Sequence, residues 1–164
     1  MIARFKHLLI LPFLSTAAFL CPAFSSAQQP AAPPAVNIAR LPFSPGLQLG
    51  DTLYLSGHLG VDLATGKVPD DPEVEARQVL LSIQKTLQQA GMTMNDLVYV
   101  EIYCTDLKMY GAFNKAYASF FDKPFPARDF IGAKDLLFGA HFEIMGIAVR
   151  NAAQNKKQPA AGIQ

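Results

Sequence analysis

The chain has no tryptophan, two cysteines and three histidines in 164 residues. Each scarcity removes a class of chemistry. Cys21 falls in a segment expected to be cleaved away, which leaves Cys104 as a lone thiol with no intramolecular disulfide to form. Cys104 sits in the strand-like run Val98 to Cys104 and reads as a buried, unreactive thiol. His58 and His141, the histidines outside that segment, lack the spacing of metal ligands. Charge is sparse too, 16% of residues with a net +1, and offers no basic field for nucleic acid. Ser56 has no G-x-S-x-G setting and no third orienting acid beside His58, while Gly57 and Gly60 do not form a G-x-G-x-x-G phosphate loop. No internal repeat is present.

The longest apolar run, Leu8 to Leu20, is broken by Pro12 and falls short of the roughly 20 residues a spanning helix needs. Arg4 and Lys6 precede it, and Ser25-Ser26-Ala27 supplies small residues for cleavage, which is the layout of a secretory signal peptide. The expected product begins after Ala27 and is periplasmic or secreted, without stable membrane association. Cys21 raises a lipoprotein alternative, but Ala18-Phe19-Leu20 places bulky residues where a lipobox wants small ones. Losing residues 1–27 removes two basic residues and no acids, leaving 12 Lys plus Arg against 13 Asp plus Glu. Residues 28–39, rich in Pro, Ala and Gln, read as a disordered linker, and residues 152–164 as a disordered tail. Residues 40–151 are left as one domain of ordinary size.

Two segments within it carry helical period. Ala76, Val79, Leu80, Ile83, Leu87 and Ala90 share one face, and Gly91 stands where a left-handed cap stops a helix. Tyr110, Phe113, Ala116, Tyr117 and Phe120 repeat the pattern after Asp106 as cap and before Pro124 and Pro126. Short β-branched or aromatic runs at Thr52 to Ser56, Leu97 to Tyr103, Arg128 to Gly132 and His141 to Val149 read as strands. Neither face of the last strand is clearly polar. Two helices cover one face of a sheet, so the other is expected to meet another subunit or stay exposed as an apolar patch.

The stretch that speaks to function is Phe125-Pro126-Ala127-Arg128, with Glu143 fifteen positions after the arginine. An arginine in apolar surroundings offers a planar fork suited to a carboxylate, and a glutamate on a following strand can orient a water beside it. On spacing alone a structural ion pair or a solvated edge explains the same residues.

The order and spacing of several pieces then matter. Leu41-Pro42-Phe43-Ser44-Pro45, Gly50-Asp51-Thr52-Leu53-Tyr54-Leu55-Ser56-Gly57, Glu75-Ala76-Arg77-Gln78, Ala90-Gly91, Pro126-Ala127-Arg128 and Phe142-Glu143-Ile144 together resemble the RidA (YjgF) family of reactive-intermediate deaminases. The resemblance runs from about Leu41 to Arg150. It implies a chorismate-mutase-like α+β fold, a mixed sheet with two helices packed on one face, in a homotrimeric ring with sites in the clefts between subunits. It also implies Arg128 as carboxylate anchor and Glu143 as holder of the attacking water. Phe43, Ser56, Gly57, Asn114, Phe130 and Ile131 would line the cleft. The implied reaction is hydrolysis of short 2-imino acids, of the 2-aminoacrylate type, to 2-oxo acids and ammonia, with no metal or coenzyme. The alternative is a non-catalytic member that binds small carboxylates or acts as a holdase-like chaperone. Asp129 stands where Ser or Thr is common and Phe130 where a small residue or Cys is common, which implies a narrower pocket; adjacent strand side chains point to opposite faces, so Asp129 need not neutralise Arg128, but a nearby acid still lowers the local positive potential. Phe43 replaces a common Tyr, His58 a Gln and Met145 a second Glu.

Overall fold

The computed structural model describes residues 42–62 and 65–156. The expected leader, the linker, and residues 157–164 of the tail lie outside the described residues. Five strands form one sheet: β1 (Gly46–Leu49), β2 (Thr52–Leu59), β3 (Leu97–Cys104), β4 (Ala127–Gly132) and β5 (Phe142–Val149). Their spatial order is β1-β2-β5-β3-β4, and only the β3–β4 pair is parallel. A parallel neighbour needs a crossover, and α2 (Tyr110–Ala118) supplies it; α1 (Pro72–Gln89) links β2 to β3.

The first helix starts where local chemistry says it must. Asp71 accepts from the Glu73 amide at 2.8 Å, Pro72 occupies the first turn, and Gly91 follows the last turn at φ +68°. Ala76, Val79, Leu80, Ile83 and Leu87 are all buried, as the period predicts. The second helix differs in detail. Asp106 caps a preceding 3-10 turn, Leu107–Met109, rather than α2 itself. Phe113, Ala116 and Tyr117 enter the core, but Tyr110 is exposed and Phe120 only partly buried.

Both helices pack on one face of the sheet, against Leu53, Leu55, Val100, Ile102, Cys104, Phe142, Ile144 and Ala148. Phe113 is fully buried among Tyr117, Phe130 and Phe142. Strand alternation sends the intervening residues to the opposite face, where β5 carries Glu143, Met145, Ile147 and Val149, each only partly buried. Cys104 is a free, buried thiol whose pKa is raised by burial.

One sequence expectation needs correction, and one element was not foreseen. The strand β1 is only four residues long and none of them is buried, so the brief alternation of Leu47 and Leu49 about Gln48 was too short to read. The stretch from Ala152, read as disordered tail, instead opens with a helical turn, α3 (Ala152–Asn155), in which Ala152 is buried and the Ala153 amide reaches Asp96 at 3.3 Å. The polar composition of the segment hid one apolar anchor.

Candidate active site

Arg128 lies on the edge strand β4 in register with the buried Val100, so its side chain takes the helix-bearing side of the sheet. Tyr110, Asn114 and Tyr117 recur along α2 at spacings that place them on one helical face. That face meets the arginine. Nη1 of Arg128 donates to Oδ1 of Asn114 at 2.7 Å, and Nη2 donates to the Tyr110 hydroxyl at 3.3 Å. The guanidinium carbon stands 4.8 Å from the Tyr117 ring centre, 5.8 Å from Tyr110 and 5.9 Å from Phe130. Such stacking suits the weakly hydrated, planar guanidinium. Among the described residues Arg128 has no carboxylate partner. Its charge is therefore held by neutral oxygens and rings and remains available to an anion.

The guanidinium opens onto a cavity of about 320 Å³ lined by Asn114, Tyr117, Ala118, Phe125, Pro126 and Arg128. That is room for a small organic acid. The Tyr117 hydroxyl is buried without a hydrogen-bond partner among the described residues, and burial pushes its pKa upward.

Glu143 occupies different ground. It pairs in register with Tyr103 and Leu59, on the face of the sheet away from the helices. Its carboxylate has no hydrogen bond or ion pair among the described residues, and partial burial raises its pKa. The β2 strand bulges between Leu55 and His58, which brings Gly57 under that carboxylate: a Cβ at Gly57 would collide with the Glu143 carboxyl group. Only glycine leaves the space. The Ser56 hydroxyl donates to the Ser44 carbonyl at 2.6 Å, and its amide donates to Pro45 at 3.1 Å. These bonds tie the segment carrying the exposed Phe43 to the bulge.

The eight residues singled out from the sequence thus form two groups on one chain. Arg128, Asn114 and Phe130 come together on the helix side. Glu143, Gly57 and Ser56 come together across the sheet, with Phe43 beside them in the chain and Ile131, 37% exposed, on their face. Arg128 and Glu143 do not meet within one chain.

The unusual neighbours of Arg128 are both placed. As expected of adjacent residues on a strand, Asp129 points to the opposite face, where it accepts from the Tyr99 hydroxyl at 2.8 Å, which pushes the Tyr99 pKa up to about 12. It does not pair with the guanidinium. Phe130 packs edge-on against Tyr110, with ring centres 4.9 Å apart, and against Phe113. It is absent from the cavity lining, so the large ring does not narrow that space.

Sequence reasoning missed Tyr110 and Tyr117 as neighbours of the arginine, because their helical period read as core. It also missed the buried anchor of β5. Glu75 is completely buried, and its Oε1 accepts from the amides of His141 at 2.7 Å and Phe142 at 3.0 Å. Its other oxygen lies 2.7 Å from His141 Nδ1. A carboxylate on the inner face of a helical period was the available signal.

Comparison with known proteins shows the family and the fold. A family model described as Endoribonuclease L-PSP matches residues 34–150. A protein of Dermatophagoides farinae named 2-iminobutanoate/2-iminopropanoate deaminase is 34% identical over 109 residues, covering 66% of this chain and 85% of that one. The solved structure of the Escherichia coli YjgF gene product is 32% identical with a TM-score of 0.64, over 73% of this chain and 94% of that one. Escherichia coli TdcF with bound serine is 30% identical with a TM-score of 0.64, over 67% and 89%.

Proposed function

Because this chain belongs to the Endoribonuclease L-PSP family of RidA/YjgF proteins, we propose that it hydrolyses short 2-imino acids to 2-oxo acids and ammonia. The observation that carries the reading is an arginine without a carboxylate partner among the described residues, held by Asn114 and Tyr110 at the wall of a cavity sized for a small acid. The deaminase name of the 34% identical relative supports it, as does the serine bound by TdcF, itself a small α-carboxylate.

In the proposed reaction the substrate carboxylate rests on Arg128, and the protonated imine carbon takes a water oriented by Glu143. Water adds to the C=N carbon and passes one proton through Glu143 to the nitrogen; the carbinolamine hydroxyl then gives its remaining proton to Glu143 as the C–N bond breaks, leaving the 2-oxo acid and ammonia. A carboxylate whose pKa is raised by burial is suited to accept and return that proton. Holding the electrophile and the water together supplies much of the acceleration, so few residues suffice.

Since Arg128 and Glu143 occupy opposite faces of one sheet, the reading places each site between two copies, Arg128 from one and Glu143 from the other, in a homotrimer. The cleft would also hold Phe43, Ser56, Gly57, Asn114, Phe130 and Ile131. The protein acts outside the cytoplasm after cleavage behind Ala27. N-terminal sequencing of the exported product is expected to begin at Gln28, and an intact Met1 or a lipid on Cys21 would refute that address.

The test of the reaction is ammonia and 2-oxo acid release from imines generated in situ by an amino-acid oxidase. Acceleration over the buffer rate is expected. An unchanged rate with retained binding of 2-oxobutanoate would reject the deaminase and leave a carboxylate-binding protein.

A further inference from the structure

We infer that the Tyr110 hydroxyl is a direct contact for the ligand carboxylate, completing with Arg128 a clamp that selects small carboxylates over their neutral amides. The inference deepens the proposed function and rests on Arg128 being the carboxylate anchor. Tyr110 was expected in the core, yet it is 46% exposed, at the first turn of α2 and one turn before Asn114. Its ring stands edge-on to Phe130, at 89° with centres 4.9 Å apart. Ring packing therefore fixes where the hydroxyl sits.

The hydroxyl oxygen accepts from Nη2 of Arg128 at 3.3 Å. A phenol has one hydrogen to donate, and among the described residues no acceptor takes the hydrogen of Tyr110. The hydroxyl is thus polarised by a cation on its oxygen and left with a free donor beside that cation. Arg128 carries five N–H donors; one goes to Asn114 and one to Tyr110, and those left suffice for a two-pronged carboxylate pair. An anion seated on the guanidinium next to Nη2 comes within reach of the phenol hydrogen. No carboxylate of the described residues competes for the position, since Asp129 is turned to the other face and bonded to Tyr99. Tyr110 lies outside the cavity lining and joins it through Arg128, so it touches the charged end of a ligand and not the side chain.

The clamp would discriminate by charge. A carboxylate accepts from both the fork and the phenol, whereas the corresponding amide presents a donor to two donors and loses a partner.

The experiment is calorimetric titration of the full protein with 2-oxobutanoate and with 2-oxobutanamide, for wild type and Tyr110→Phe. The substitution keeps the ring on Phe130 and deletes only the hydroxyl, and unchanged thermal melting verifies the fold. Loss of one hydrogen bond to a charged group predicts weaker 2-oxobutanoate binding by roughly 12- to 160-fold, an equal rise in KM for the imino acid, and unchanged binding of the amide. Equal weakening of acid and amide would assign Tyr110 to packing and overturn the inference, as would an unchanged Kd for the acid. Wild type that binds 2-oxobutanoate without releasing ammonia rejects the deaminase reading alone, because the Tyr110 comparison is still read in the titration. Wild type that fails to bind 2-oxobutanoate overturns both.

Discussion

Arg128→Lys is the substitution that separates charge from geometry at this site. The native side chain makes two directed bonds, 2.7 Å to Asn114 and 3.3 Å to Tyr110, and stacks 4.8 Å from the Tyr117 ring. A lysine ammonium keeps the charge but cannot lie flat on Tyr117, reach both neighbours and still offer two parallel donors to a carboxylate. Truncating one partner of a desolvated charge pair costs about 2 to 5 kcal/mol, which converts to roughly 30- to 5,000-fold in kcat/KM. Arg128→Ala is expected within that range, and Arg128→Lys to recover no more than about tenfold of it, the share a screened point charge supplies. Neither should unfold the protein, because Arg128 is half-buried on an edge strand and its removal strands no opposite charge. The assay is ammonia release from the oxidase-generated imine, with circular dichroism as the fold control. An Arg128→Ala protein within threefold of wild type would refute the site assignment; a fully active Arg128→Lys would refute the fork geometry while sparing the charge.

Glu143 gives a pH signature. Its pKa is raised from 4.5 by burial, so the acid limb of kcat/KM is expected above the usual carboxylate range and lost with activity in Glu143→Gln. The folded state also binds that proton more readily than the unfolded, so the group favours folding below pH 4.5 and loses that contribution as pH rises through its folded pKa. Glu143→Gln is therefore expected to be as stable as wild type or more so at pH 7, and urea denaturation showing clear destabilisation would contradict it. Glu75→Ala strands the buried amides of His141 and Phe142, for about 2 to 5 kcal/mol of stability. Glu75→Gln, which keeps an acceptor oxygen, should cost less than half of that; equal losses would mean that volume and not hydrogen bonding matters there. Light scattering is expected to find a trimer, and Ile147→Asp, on the face away from the helices, to give monomers without activity; an active monomer would place the site within one chain.

Much of the scaffold was written locally. The apolar period from Ala76 to Leu87, Asp71 before Pro72 and Gly91 at positive φ define α1 through contacts within a few residues, so sequence suffices. The strand β1 was illegible for the converse reason: it buries nothing, and its place comes from pairing Gly46–Leu49 with Thr52–Leu55. The sequence also marked Arg128 and Glu143 through the motifs around them, and with them the chemistry of a fork and a carboxylate. What it could not tell was their relation in space. That depends on register, a long-range property: Arg128 pairs with Val100 and Glu143 with Tyr103 on the same strand, three residues apart. An odd separation on a pleated strand means opposite faces. The turning of Asp129 away from Arg128, by contrast, is the alternation of adjacent strand residues and was legible locally, whereas the packing of α2 on β4 made Tyr110, an ordinary member of an apolar period, a neighbour of the guanidinium.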